Sequence, residues 1–158
     1  MRLLGYEIKK ESQASFCRAG VGFYLEEMIF VGTLGGHREV GSVRRPFPLD
    51  ALELGKLVEK ALASYNPIAP PYSKSDNKSV WPSYQASGLK TMNAFERGLI
   101  DVDVNATIQE IVLSGTFRNN QDIAATMRLP RVTGPAELGL ALHRVRKAML
   151  AMRAANVV

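Results

Sequence analysis

The sequence predicts an α+β fold, with helices packed on one face of an antiparallel β-sheet. Between Leu99 and Leu129, three segments rich in alternating or β-branched residues follow one another closely. Two further segments, beginning at Asp50 and at Gly134, repeat apolar residues at helical spacing and carry helix start signals. The close succession of the strands indicates an antiparallel meander with one face toward water.

The first third of the chain predicts further strands. Leu3 to Lys9 alternates apolar and polar residues. Val21 to Leu34 predicts one or two strands, with Glu26 and Glu27 at a bulge or turn and a glycine pair at the end. Residues 37–43 indicate one more short strand.

The first helix is predicted from Asp50, after Pro46 and Pro48 have opposed regular strand pairing. The Asp50 carboxylate can cap free backbone amides, and Glu53 completes a capping-box pattern. Apolar residues at helical spacing form one face: Leu54, Leu57, Val58, Ala61, Leu62 and Tyr65. This helix is expected to end near Asn66-Pro67.

Residues 66–79 form the longest irregular stretch and predict an exposed loop rather than a linker, because the flanking segments fit one core. Thr91 then predicts the cap of a short helix through Phe95, stopped at Gly98.

The second half predicts three strands and a long helix. The strands are Leu99–Ala106, Thr107–Phe117 and Ile123–Leu129, and Asn119-Asn120 marks a turn. Pro135 suits the first helical position, and Leu138, Leu142, Val145, Met149 and Met152 form one apolar face. The polar residues His143, Arg144, Arg146 and Lys147 are expected to lie away from that face.

Size and composition predict a single domain over residues 1–158. Cys17 is the one cysteine, which favours a reducing compartment. The N-terminal residues lack the apolar core of a signal peptide, and no apolar run is long enough to cross a membrane. We therefore expect a cytoplasmic protein without a membrane partner; its oligomeric state stays open.

The patterns typical of catalysis are weak. Two histidines, His37 and His143, and Cys17 have no metal-ligand spacing, so no metal and no cofactor is predicted. A Cys-His nucleophilic pair is formally available, but a buried or idle thiol is the favoured interpretation of Cys17. The glycines of residues 32–36 favour a hairpin turn over a phosphate loop. No catalytic residue is predicted.

Asp101 and Asp103 are the best carboxylate pair, about 7 Å apart on one strand face by the rise of two residues. They favour a solvated sheet face; acid/base or divalent-ion chemistry and an acidic docking surface for a basic partner stay open. Trp81 and Tyr84 favour a core anchor over a binding surface.

The net charge is +5, and from Arg118 onward seven basic residues stand against two acidic ones. This balance is compatible with nucleic acid or an acidic protein, but a solvated helix face is favoured because no aromatic residues are interleaved. A nucleic-acid-binding module using the C-terminal helix is therefore the alternative function.

The segment Ser79 to Gly98 holds the only tryptophan and reads Ser-Val-Trp-Pro-Ser-Tyr-Gln-Ala-Ser-Gly-Leu-Lys-Thr-Met-Asn-Ala-Phe-Glu-Arg-Gly. It resembles immunity proteins of bacterial contact-dependent growth inhibition systems, as do the chain length and the order of elements. The resemblance covers this central segment and, more loosely, the strand that follows.

The resemblance implies a non-enzyme that stays in the cytoplasm. Such a protein binds a cognate toxin domain, the C-terminal tip of a large secreted effector and frequently a nuclease, and occludes its active site or substrate surface. Nuclease inhibitors are often acidic whereas this chain is basic, which places docking on a local acidic face or against an acidic toxin. The candidate contacts are the exposed loop and the acidic strand: Tyr72, Lys74, Asp76, Lys78, Asp101 and Asp103.

Overall fold

The computed structural model describes residues 16–68 and 81–155. Its six strands are β1 Cys17–Tyr24, β2 Met28–Gly35, β3 Arg38–Pro46, β4 Leu99–Ala106, β5 Glu110–Phe117 and β6 Asn120–Pro130. Its four helices are α1 Ala51–Ala63, α2 Pro82–Ser87, α3 Met92–Gly98 and α4 Pro135–Ala154. The predicted strand at residues 3–9 and most of the predicted loop at 66–79 lie outside the described residues.

The strands form one sheet in the order β3-β2-β1-β4-β5-β6. All five neighbouring pairs are antiparallel. Two meanders, β1-β2-β3 and β4-β5-β6, are joined where β1 pairs with β4. The predicted α+β fold with an antiparallel sheet is therefore confirmed, and the predicted meander is its second half.

The two long helices, α1 and α4, pack on one face of the sheet. Leu54 and Val58 of α1 and Leu142 of α4 share a core with Val21 and Val102 of the central strands. The helices approach each other closely where they carry glycine: a Cβ on Gly55 would overlap the Pro135 carbonyl, and one on Gly139 would overlap the Ala51 carbonyl.

The two short helices, α2 and α3, lie on the opposite face, where they cover β2, β3 and one end of β1. Their core is aromatic: Phe95 is fully buried, with the Trp81 ring 4.9 Å and the Phe30 ring 5.6 Å away, centroid to centroid. The prediction of helices on one face describes α1 and α4 and did not include this second layer. The rest of that face, over β1, β4, β5 and β6, has no helix on it in the described parts of the chain.

The predicted helix starts are confirmed. The Asp50 carboxylate accepts a hydrogen bond from the Glu53 amide at the start of α1, and the Thr91 hydroxyl accepts one from the Ala94 amide at the start of α3. Pro135 is the first residue of α4. The region 21–34 is two strands separated by a turn at residues 25–27.

Several predicted boundaries need correction. Helix α1 ends at Ala63, before Asn66, because the backbone amide of Asn66 donates a hydrogen bond to the Leu34 carbonyl of strand β2 and not to the helix. Strand β3 extends through Pro46, opposite Met28, since β3 is an edge strand where a proline costs no ladder hydrogen bond. Strand β6 begins at Asn120, so the turn lies one residue earlier than predicted.

Two residues of α4 were placed wrongly. His143 is half-buried, with its Nε2 3.0 Å from the Leu49 carbonyl oxygen and its ring beside Phe23. Arg146 is only 7% exposed, and its guanidinium lies over the Phe47 ring. The chain that follows β3 wraps against α4 and contributes Phe47 and Leu49, so residues at the edge of the apolar face become enclosed.

Candidate docking site on the uncovered sheet face

The face of the sheet opposite α1 and α4 is built from the alternate residues of each strand. Gly20 of β1 lies opposite Asp103 of β4 and Gly32 of β2, and Gly22 lies opposite Asp101. Because side chains alternate between faces, the two aspartates point away from the long helices, while their neighbours Val102 and Val104 point into the main core. The predicted placement of Asp101 and Asp103 on one face is correct.

A recess forms where this open face meets α2. Its floor consists of glycines of β1, and Trp81, Ser83 and Glu39 form the wall on the α2 side. Asp101 and Asp103 form the opposite wall. Carboxylates from two strands, β3 and β4, thus share one concave surface with a tryptophan.

Asp101 is the more enclosed of the two aspartates. Its carboxylate lies 3.4 Å from the Arg118 guanidinium, and 26% of its side chain is exposed. Burial raises the pKa of Asp101 to about 6, with Asp103 and Glu39 adding to the rise and Arg118 opposing it. Three carboxylates, those of Glu39, Asp101 and Asp103, line this recess, and Arg118 forms an ion pair with Asp101.

Glu39 is held in place by α2. Its Oε1 accepts hydrogen bonds from both the amide and the hydroxyl of Ser83, each at 2.6 Å. Burial raises the pKa of Glu39, although the hydrogen bonds from Ser83 and Trp81 act against the rise. Gly32 leaves room for this arrangement, because a Cβ at that position would lie 2.6 Å from the Glu39 carboxylate and would displace it.

Asp103 is exposed and makes no hydrogen bond or ion pair with any residue in 16–68 or 81–155. Gly20 lies opposite it, and a Cβ built on Gly20 would have nothing within 4 Å. The open space above Gly20 is therefore bordered by a free carboxylate.

The arginines on this face are already engaged. The Arg18 guanidinium donates to Asn105 Oδ1 at 3.0 Å and contacts His37 Nδ1, and Arg128 pairs with Glu110. These contacts keep the positive charges near partners of their own, whereas Asp103 has no such partner within the described ranges.

The other candidate residues have different outcomes. Tyr72, Lys74, Asp76 and Lys78 lie outside the described residues, so their contact role stays a prediction. Glu39 and Ser83 belong to the recess but were missed, because Glu39 reaches it only through a register irregularity in β2–β3 pairing and no sequence signal marks that. Trp81 packs on Phe95, as the favoured core interpretation predicts, and it also lines the recess; its role as a binding surface stays a prediction.

The two histidines and the cysteine that were considered for catalysis each have their own surroundings. His37 contacts Arg18, and His143 is bound to the Leu49 carbonyl. Cys17 is a free, half-buried thiol. Within the residues that the structure describes, no three His, Cys, Asp or Glu side chains are arranged to hold a metal ion.

None of the helices in the described ranges is long and apolar enough to cross a membrane. On α4, the burial of Arg146 removes one of the basic side chains on which the nucleic-acid alternative depended.

Solved structures of the same fold include two chains that cover most of this one. One is from the CdiA-CT/CdiI toxin and immunity complex of Yersinia pseudotuberculosis, with 18% identity, a TM-score of 0.63, and coverage of 84% of this chain and 96% of that one. The other is a protein of unknown function, NMB0488 from Neisseria meningitidis, with 18% identity, a TM-score of 0.59, and coverage of 81% and 92%.

No protein-family model and no curated protein sequence matches the chain. At 18% identity the two structural matches concern the fold. At that level they agree with the family resemblance of the central segment.

Proposed function

We propose that this protein is an immunity protein that binds a cognate toxin domain and neutralises it. The observation that carries the proposal is the fold, which matches over 84% of the chain a protein from a toxin and immunity complex. The resemblance of Ser79–Gly98 to immunity proteins of contact-dependent growth inhibition is separate support, because it comes from the residues and not from the backbone.

The mechanism is steric and electrostatic occlusion, without turnover. The toxin domain is the C-terminal tip of a large secreted effector, and a nuclease is the activity we propose for it. A nuclease must attract a polyanion, so its active-site surface carries positive charge. An inhibitor that covers such a surface needs a negative face, whatever the net charge of its whole chain.

That negative face is supplied by the sheet face over β1, β4, β5 and β6 on which no helix of the described residues packs, here called the uncovered sheet face. The net charge of the chain is +5, yet Glu39, Asp101 and Asp103 meet at one recess. We therefore place toxin contacts at Asp101 and Asp103, together with the proposed contacts Tyr72, Lys74, Asp76 and Lys78. The protein acts in the cytoplasm of the producing cell, where an arriving toxin meets its substrate.

The test is a protection assay with the C-terminal domain encoded by the adjacent gene. That domain is induced in cells with and without this protein, and growth is followed. We expect growth arrest in unprotected cells and normal growth in protected ones. An adjacent domain that is harmless to unprotected cells, or equally toxic to both, contradicts the proposal.

The nucleic-acid alternative makes a different prediction. Binding through phosphate contacts of α4 would weaken steeply with salt. A filter-binding titration of the purified protein with single- and double-stranded nucleic acid, at low and physiological salt, is expected to show no binding at either.

A further inference from the structure

We propose that the uncovered sheet face receives an extended, basic segment of the toxin domain, and that a lysine or arginine of that segment lies above Gly20, between Asp103 and Glu39. This inference rests on the proposed function and names the partner chemistry and the place where it binds.

The strand register provides a low path across the open face. The path crosses four strands that are neighbours in the sheet, in the order β1, β4, β5, β6. One residue of each strand lies directly opposite the next: Gly20, Asp103, Ser114 and Thr126. All four point away from the long helices, and each is exposed or half-exposed. The path ends at the recess, where the Glu39 side chain, hydrogen-bonded to Ser83, lies over Gly32 of the next strand.

The neighbouring rows set the sides of this path. Same-face residues lie about 7 Å along each strand. Arg18 and Asn105, joined by a hydrogen bond, border one side near β1 and β4. Trp81 and Arg118 stand at the other side, beyond Asp101. A partner segment that follows the path is thereby guided into the recess.

The dimensions fit a short extended segment. Three strand spacings of about 4.8 Å give a path of about 14 Å from β1 to β6. An extended chain advances about 3.4 Å per residue, so about four residues span it. The segment lies across the strands on the face and does not pair with an edge.

Charge complementarity selects a basic occupant. Asp103 has no ion-pair partner among the described residues, Asp101 is paired with Arg118, and Glu39 faces the same recess. Bringing a cation between them relieves the repulsion of like charges in a partly desolvated site. The empty space above Gly20 is where a side-chain head can reach both carboxylate walls.

The chain already contains one example of such recognition. The Arg118 guanidinium lies over the Trp81 ring, with 4.6 Å from its carbon to the ring centroid, and pairs with Asp101. The same face thus holds a guanidinium by an aromatic ring and a carboxylate. The space between Asp103 and Glu39 offers the carboxylates, and none of the arginines in residues 16–68 and 81–155 is paired with Asp103.

The test measures the affinity of the full chain for a probe. The probe is the C-terminal domain of the protein encoded by the adjacent gene. Two variants alter the path: Asp103→Lys reverses the free charge, and Thr126→Arg fills the floor at its β6 end. The matched control is Glu59→Lys, which makes the same charge change on the exposed side of α1. Melting temperatures establish that each variant folds, as expected for exposed positions.

We expect Asp103→Lys to weaken binding about 100-fold and Thr126→Arg about 10-fold, with Glu59→Lys within about 3-fold of the wild type. If Asp103→Lys does not fold, Asp103→Asn replaces it, with an expected loss of about 10-fold. If Asp103→Lys and Thr126→Arg both bind the probe with the affinity of the wild type, this inference is wrong and the proposed function still stands. A probe that does not bind the wild type at all overturns both.

Discussion

The guanidinium carbon of Arg118 lies 4.6 Å from the centre of the Trp81 ring. Arg118 sits in the turn between β5 and β6, and Trp81 precedes α2, so this contact joins the second meander to the helix layer that covers the first. Arg118 also pairs with Asp101 at 3.4 Å. One arginine therefore fixes the aromatic wall of the recess against its acidic wall.

Replacing Arg118 by glutamine is expected to loosen Trp81. Loss of the cation–π contact and the ion pair should lower the free energy of unfolding by about 1 kcal/mol. Because Trp81 is the only tryptophan, its fluorescence reports the change directly, and we expect a red-shifted emission maximum. Arg144→Gln, on the exposed side of α4, is the control; equal spectra for the two variants would refute the role given to Arg118.

The raised pKa of Asp101 predicts a pH-dependent stability. The folded-state value of about 6 exceeds the ordinary 3.8, so between pH 4 and 6 the folded protein holds the proton more tightly than the unfolded chain. Wild-type stability relative to Asp101→Asn should therefore fall as pH rises through this window and then level off above it.

The expected fall is about 2 kcal/mol, below the value for a two-unit shift because solvent reaches 26% of the side chain. Urea unfolding of both proteins from pH 4 to 7 measures it. A stability difference that is constant over that range would show that Asp101 titrates normally.

The glycine at position 55 is predicted to be essential for packing α1 on α4. A methyl group there would overlap the Pro135 carbonyl, which is backbone and cannot rotate away. Gly55→Ala should destabilise the protein by about 3 kcal/mol despite the better helix propensity of alanine. Gly20→Ala, where the added Cβ has open space, should leave the melting temperature within a few degrees; a similar loss in both variants would contradict this account.

Arg146 is predicted to be replaceable by a hydrophobic residue. Its guanidinium is buried over Phe47, its Nε has no hydrogen-bond partner in the described residues, and Glu26 is 4.0 Å away. Arg146→Met keeps the packing and removes the desolvated charge, so stability should be unchanged or higher by about 1 kcal/mol. Arg146→Ala loses the packing and should cost about 2 kcal/mol. Equal losses in the two variants would show that the charge itself is needed.

The sequence predicted the elements whose signals are local. Helix starts were predicted from the capping side chains of Asp50 and Thr91 and from the fixed φ of Pro135. A helix begins at each of these residues or directly after it. The alternation of Leu99–Ala106 correctly separated Asp101 and Asp103 from the valines of the core.

Features that depend on contacts between distant segments could not be predicted from local sequence patterns. Arg146 and His143 look exposed on a helical projection, but the segment after β3 folds over them, and periodicity within one helix carries no information about a distant loop. Glu39 joins the recess only through β3 pairing and its bonds to Ser83. The sequence therefore indicated an acidic strand face. The glycine floor and the tryptophan wall of the recess could be recognised only from the three-dimensional structure.

The most direct test of the central claim is a titration of toxin activity. The C-terminal domain encoded by the adjacent gene is assayed for nuclease activity with increasing amounts of this purified protein. We predict that activity falls to background at one equivalent, as for a tight complex that covers the active site. Full activity in the presence of a large excess of the protein would contradict the account.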